Sequence, residues 1–196
     1  LERNSSINHK NIEDIVMGCA FPEGPQGMLM AKGVAILSGL PDTTTGKVVN
    51  RFCGSSMDAL HQLSQAINSN DIDCGIACGV EDMFGVPMGG FSPSFHPDLY
   101  ENDFYMGMGE TAENLAKELD ISRQDQEDFA INSHKKALEA SLNGNFVNEI
   151  LPIEFNGNTI SIDEGPREPN EDKIKSLDPA FDSDGTITAA TSSPIS

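Results

Sequence analysis

Val49-Asn50-Arg51-Phe52-Cys53-Gly54-Ser55-Ser56-Met57-Asp58 sets a thiol at the joint between a strand and a helix. Upstream, Thr43-Thr44-Thr45-Gly46-Lys47-Val48-Val49 is rich in β-branched residues, which suit a pleated surface, and reads as a strand. Downstream, Met57, Leu60, Ser64 and Ile67 recur near helical spacing, with Leu63 and Ala66 beside them, so a helix follows at once. A cysteine at a helix start faces unpaired backbone N–H groups and the positive end of the macrodipole, which favour the thiolate. Gly54 and Ser55 leave a narrow approach almost free of side chains, through which a carbonyl group could reach the sulfur. The competing reading is a buried structural cysteine, the commoner fate of a free thiol.

Working outward, short apolar runs alternate with helical patterns from residue 12 to residue 87. Ile12 to Gly18 reads as a strand, Gln26 to Ser38 as a helix closed by Gly39 and Pro41, and Ile72 to Cys78 as a further strand. Such alternation indicates α/β layering. From Pro87 to Tyr105 the chain is rich in Gly, Pro and aromatics and reads as a long ordered loop. Ala112, Leu115, Ala116 and Leu119 then mark one face of a helix. Ser122 with Asp125 signals the capped start of another that ends near Gly144. Asn156-Gly157-Asn158, between Ile150–Phe155 and Thr159–Ile162, signals a hairpin. Asp163 to Asp178 reads as solvated loop with a short helix, and Thr186 to Ala190 as a strand.

Asn50-Arg51-Phe52-Cys53-Gly54-Ser55-Ser56 resembles the nucleophile motif of the thiolases, enzymes that make or cleave 3-ketoacyl-CoA thioesters. Further blocks are similar to that family in the same order. They are Ile76-Ala77-Cys78-Gly79-Val80-Glu81-Asp82-Met83, Met108-Gly109-Glu110-Thr111-Ala112-Glu113-Asn114, Ile121 to Gln126 with Ser133 to Ala137, and Pro179 to Phe181 with Gly185 to Ala190. The resemblance implies an α/β, thiolase-like layered fold: a mixed five-stranded sheet with helices on both faces, incomplete here, carrying an inserted α+β loop domain. Residues 1–87 would be the N-terminal core, 88–184 the loop domain that covers CoA and contributes to oligomerisation, and 185–196 the return strand of the core. It further implies that the family's opening strand, central in its sheet, lies outside these residues. So do its second-half motifs, a Gly-His-Pro histidine and a Cys-x-Gly-Gly-Gly cysteine, and without them the 196 residues alone are expected to be inactive.

By resemblance Cys53 is the acyl-accepting nucleophile, Met108 lines the short acyl pocket, Arg167 meets the phosphate end of CoA, and Ser193 meets its pantetheine arm. Read as residues alone, Met108 could equally be packing and Arg167 a solvated arginine. Gly107 stands where many acetoacetyl-forming thiolases have His, and Thr191-Ser192-Ser193-Pro194 replaces Asn-Ala-Ser-Gly. Both departures look more like thiolases that degrade longer 3-ketoacyl chains than like the biosynthetic acetyltransferases. The alternatives from other classes are a ketoacyl-synthase relative, which would not be expected to keep the Met-Gly-x-Thr-Ala-Glu block, and a non-catalytic CoA-binding or assembly module. The resemblance implies acyl-CoA and CoA as substrates, no separate cofactor or metal, and a homodimer or homotetramer.

Thirty-one acidic against twelve basic residues give a net charge of −19, which lacks the basic footprint of a nucleic-acid binder. The same field repels a polyanion such as CoA, so a CoA site must rest on local cations and oriented N–H groups. No apolar run approaches the length of a membrane span. Cys74 and Cys78 lie four residues apart on a strand, roughly 13 Å, too far to bridge. With Cys19 they read as structural, and reduced thiols fit a cytoplasmic or organelle-matrix setting. None of His9, His61, His96 or His134 is expected to be the general base.

Overall fold

The structure is a computed structural model and describes residues 1–195. Asp14–Gly18 forms β1, whose alternation turns Ile15 and Met17 to one face and Val16 to the other. All three are buried, so β1 is covered on both faces. Strands β2 (Thr45–Val49) and β3 (Gly75–Gly79) pair with it in parallel, one on each side, in the order β2-β1-β3.

Helix α1 (Met30–Leu37) connects β1 to β2 and packs Ala31 and Ala35 on the Ile15 and Met17 face. Helix α2 (Ser55–Asn68) connects β2 to β3 and packs Ala59 and Leu63 on the Val16 face. The result is a helix–sheet–helix sandwich, as expected for a thiolase-like core. Parallel neighbours demand such crossovers, and the change of direction about β1 marks the carboxyl ends of the strands as the place where sheets of this kind bind ligands. The resemblance implied a gap at the sheet centre. Instead β1 fills the centre with both edges paired, so any further strand must join outside β2 or β3.

Around the sheet two local expectations change. The helix expected from Gln26 begins only at Met30, because Met28 and Leu29 both take left-handed backbone (φ 53° and 57°), which a helix cannot propagate through. A 3-10 turn, Gly24–Gln26, occupies the earlier residues. On α2 the buried stripe is Ser55, Ala59 and Leu63, while Met57 and Leu60 point outward. Small residues take the sheet-facing positions Ser55 and Ala59, where the sheet approaches that helix closely.

The chain divides into two compact units, Leu1–Ser94 with Ile195, and Phe95–Pro194, so the break falls after Ser94 rather than after residue 87. The second unit contains α3 (Pro97–Glu101), α4 (Met108–Glu118), α5 (Arg123–Leu142), the hairpin β4 (Ile153–Phe155) and β5 (Asn158–Ile160), and α6 (Glu171–Lys175). Ser122 and Asp125 form the expected reciprocal cap of α5, with the Asp125 N–H donating to Ser122 Oγ at 3.2 Å. The hairpin turns on Asn156 and Gly157, both at positive φ, as the Asn-Gly signal requires. On α4 the buried residues are Glu113 and Ala116, while Leu115 and Leu119 are exposed.

No strand forms at Thr186–Ala190. The Glu113 carboxylate accepts the N–H groups of Thr186, at 2.9 and 3.0 Å, and of Ile187, at 2.7 Å, and Thr191 Oγ1 accepts that of Thr188. These donors are therefore spent on side chains, and only the bridge between Pro179 and Thr188 remains. Residues 185–194 accordingly belong to the second unit rather than to the sheet of the first. Among the described residues no helix is long and apolar enough to cross a membrane.

Candidate active site at the carboxyl ends of the strands

Cys53 lies in the turn between β2 and α2, two residues ahead of the helix, with Gly54 as the N-cap. Its thiol is free and exposed, against the reading of a buried structural cysteine. The turn is strained at Phe52, whose φ of 45° costs a non-glycine residue on the order of 1–2 kcal/mol. Hydrogen bonds offset that cost on both sides of the thiol. The Phe52 N–H donates to Asn50 Oδ1 at 3.0 Å, and Asn50 Nδ2 donates to the Ala20 carbonyl at 2.8 Å. Buried Ser55 accepts the Arg51 N–H at 2.8 Å and donates its hydroxyl to the Phe52 carbonyl at 2.6 Å. The N–H groups of Gly54 and Ser55 close back on Arg51 and Phe52 at 3.0 Å each. Among the described residues the N–H groups of Asn50 and Cys53 in this turn take no hydrogen-bond partner.

Glycines on the two neighbouring strands let the helix start sit this low. A Cβ on Gly18, at the end of β1, would collide with the backbone of Ser55 and Ser56, and one on Gly79, at the end of β3, would collide with the Ser56 side chain. Arg51 reaches Asp58 in the first turn of α2 at 3.3 Å, with its guanidinium largely in solvent.

Met108, Arg167 and Ser193 belong to the second unit and Cys53 to the first. Met108 is the first residue of α4 and exposed; the Glu110 carboxylate accepts the Gly107 N–H at 2.9 Å and fixes that start. Arg167 is exposed on a loop, and its backbone N–H donates to His134 Nδ1 on α5 at 3.4 Å. That bond gives His134 a definite task, holding the arginine's loop. Ser193 is exposed, directly after the bend at Thr191 and Ser192. These three stand on separate segments, and none lines the open apolar pocket of about 510 Å³ bordered by Leu138, Leu142, Phe146, Ile150 and Ile162 within the second unit.

The histidines take other parts. His96 caps α3 by accepting the Asp98 N–H at 3.2 Å, and His61 contacts Gln65 one turn on along α2 at 3.0 Å. Cys19, Cys74 and Cys78 are free thiols, fully or partly buried. Burial, then the nearby Glu81 carboxylate, pushes the Cys19 thiol up from its ordinary pKa, and burial does the same for Cys78. Sequence reasoning missed Gln26 and Glu113, both buried polar residues with long-range partners. Glu113 stood in the Met108–Asn114 block that resembles the family, but neither residue's partners could be read from its neighbours in the chain.

Comparison with known proteins decides the family, since the thiolase N-terminal domain matches residues 1–196. The chain belongs to the thiolase family. Among curated relatives of this thiolase domain, the 3-ketoacyl-CoA thiolase of Bacillus subtilis is 38% identical over 202 residues, spanning 95% of this chain and 52% of that protein. The 3-ketoacyl-CoA thiolase of Vibrio cholerae is 43% identical over 205 residues, spanning 100% of this chain and 53% of that protein. The dimeric peroxisomal thiolase of Saccharomyces cerevisiae superimposes with a TM-score of 0.81 at 35% identity, covering 92% of this chain and 48% of that one. The thiolase domain thus spans about half the length of the curated relatives it matches.

Proposed function

We propose that this chain is the nucleophile-bearing part of a thiolase that cleaves 3-ketoacyl-CoA to acetyl-CoA and a shortened acyl-CoA. The observation that carries the reading is the free, exposed Cys53 on a strained turn beside an unpartnered N–H. The Cys53 thiolate attacks the keto carbon of the substrate. The bond between that carbon and the α-carbon breaks, the electron pair stays on the α-carbon, and a proton there completes acetyl-CoA. The acyl group remains on sulfur until the thiolate of a second CoA attacks it, which breaks the acyl–sulfur bond and returns Cys53. The Cys53 N–H donates to the oxyanion that forms in each attack. The proton transfers fall to the family's Gly-His-Pro histidine and Cys-x-Gly-Gly-Gly cysteine, which lie outside these residues, so the 196 residues alone turn over no substrate.

In the same reading Met108 lines the acyl pocket, Arg167 pairs with a CoA phosphate and Ser193 meets the pantetheine arm. A guanidinium suits phosphate geometry, and a local cation is needed in a chain of net charge −19. CoA is a substrate and no further cofactor is invoked. A homodimer or homotetramer fits the dimeric yeast relative, and four free cysteines fit a reducing compartment such as the cytoplasm. The decisive experiment is incubation of the complete protein, with the second-half histidine and cysteine present, with an acyl-CoA, followed by intact-protein and peptide mass spectrometry. An acyl adduct on Cys53 that vanishes in Cys53→Ala is expected; an adduct that survives the substitution overturns the assignment.

A further inference from the structure

Two of the three loops at the carboxyl ends of the strands are joined by one carboxylate. Glu81, two residues beyond β3, accepts the Ala20 N–H through Oε2 at 2.6 Å and the Phe21 N–H through Oε1 at 3.3 Å, both in the loop after β1. The Cys19 thiol approaches the same Oε1 at 3.8 Å. Gln26, almost wholly buried, locks this arrangement. Its Nε2 donates to Glu81 Oε1 at 2.7 Å and to the Phe21 carbonyl at 2.8 Å, and its Oε1 accepts the Asp82 N–H at 2.8 Å. A hydrogen bond to an ionised acceptor is about twice as strong as a neutral one. The loop after β1 is thus held to the loop after β3 by the carboxylate and by an amide with no idle donor or acceptor.

That held loop in turn holds the nucleophile. The Ala20 carbonyl, on the residue whose N–H Glu81 binds, accepts Asn50 Nδ2, and Asn50 Oδ1 caps the N–H of Phe52 in its left-handed conformation. The Phe21 and Phe52 rings lie 5.9 Å apart and add a second link between the two loops. The path therefore runs from Glu81 through Ala20 and Asn50 to Phe52, the neighbour of Cys53. We propose that Glu81 is a positioning residue for the Cys53 turn, acting through Ala20 and Asn50 without touching the thiol. The inference rests on the reading of Cys53 as nucleophile for its purpose, but not for its geometry.

Glu81→Gln places an NH₂ group where one of the two carboxylate oxygens now meets N–H donors, so one arm of the clamp fails. Asn50→Asp keeps the acceptor for the Phe52 N–H and removes the donor to Ala20, which cuts the link alone. Amide hydrogen exchange by NMR at Phe52 and at Val16 in the central strand, with iodoacetamide alkylation of Cys53, reads the effect. Loss of a charge-assisted bond is expected to speed Phe52 exchange at least about tenfold, with Val16 unchanged. The Cys53 alkylation rate should change in both variants by the same factor, and Glu81→Gln should add nothing on top of Asn50→Asp. Phe52 exchange that is unchanged in Glu81→Gln, that rises only in step with Val16, or that adds in the double variant overturns the proposal. Should Glu81→Gln not fold, Asn50→Asp decides: Phe52 exchange equal to that of the unvaried protein refutes the path. Neither readout requires acylation. A missing acyl adduct on Cys53 would reject the enzymatic reading and leave this mechanical result standing, and the converse holds.

Discussion

Gly18 at the end of β1 lies beneath Ser55 at the start of α2 with no room for a side chain, since a Cβ there would stand 2.7 Å from the Ser55 carbonyl oxygen. Ser55 in turn ties Arg51 to Phe52 around Cys53, so the sheet supports the Cys53 turn through this contact. Gly18→Ala must lift the helix start. The expected cost is about 1–3 kcal/mol of stability, as for other overpacked sites. Urea unfolding measures it, and an unchanged midpoint would mean that the helix start yields freely.

The four thiols should separate by reactivity. Cys53 is exposed, whereas Cys19 is buried beside Glu81 and its pKa is raised. Peptide mapping after brief iodoacetamide treatment should show Cys53 modified first and Cys19 only on unfolding. A folded-state pKa above the unfolded value contributes stability fully below the unfolded pKa and loses it as pH rises through the folded one. Burial of neutral Cys19 and Cys78 therefore favours the native state at neutral pH and ceases to do so in strong alkali. In Cys19→Ala the fall in melting temperature on the alkaline side should be shallower.

Glu113 presents the opposite sign. Burial alone would raise its pKa, but the N–H groups of Thr186 and Ile187, with the Thr186 hydroxyl, outweigh that and hold it below the ordinary carboxylate range. A depressed folded pKa gives stability present above the unfolded pKa and lost as pH falls through the folded one. Glu113→Gln removes the charge from these bonds and is expected to cost about 1.5–3 kcal/mol at neutral pH. The loss should shrink on acidification, where the unvaried protein gives up the same contribution. Thermal melts at several acid pH values test this, and a pH-independent difference would contradict it.

The hairpin turn offers a local test of backbone strain. Gly157 stands at φ 76° with nothing near the place of a Cβ, so Gly157→Ala meets only the intrinsic left-handed penalty. About 1 kcal/mol is expected, confined to the β4–β5 pair. Amide exchange should quicken at Asn158 and Ile160 while β1 is untouched. Equal quickening in both would show that the hairpin unfolds together with the sheet.

Much of the local structure was legible in residue order. The three sheet strands, expected at 12–18, 43–49 and 72–78 and found at 14–18, 45–49 and 75–79, follow with the Ser122 cap and the Asn-Gly turn from periodicity and short-range chemistry, and those are encoded within a few positions. Cys53 ahead of α2 was legible for the same reason: strand, glycine and helix are contiguous in the chain. What only the tertiary structure decided depends on partners far apart in sequence. The stripe of α2 that turns inward was set by Gly18 and Gly79 on two other strands, not by the hydrophobicity of Met57 and Leu60. Thr186–Ala190 has strand composition, yet Glu113, more than seventy residues earlier, takes the N–H groups that a strand would have used. Glu81 stands in the Ile76–Met83 block that resembles the family, but its partners appear only when the loops after β1 and β3 come together around it. Periodicity records which face a residue prefers, whereas a hydrogen-bond donor is claimed by whichever acceptor the assembled fold brings within reach.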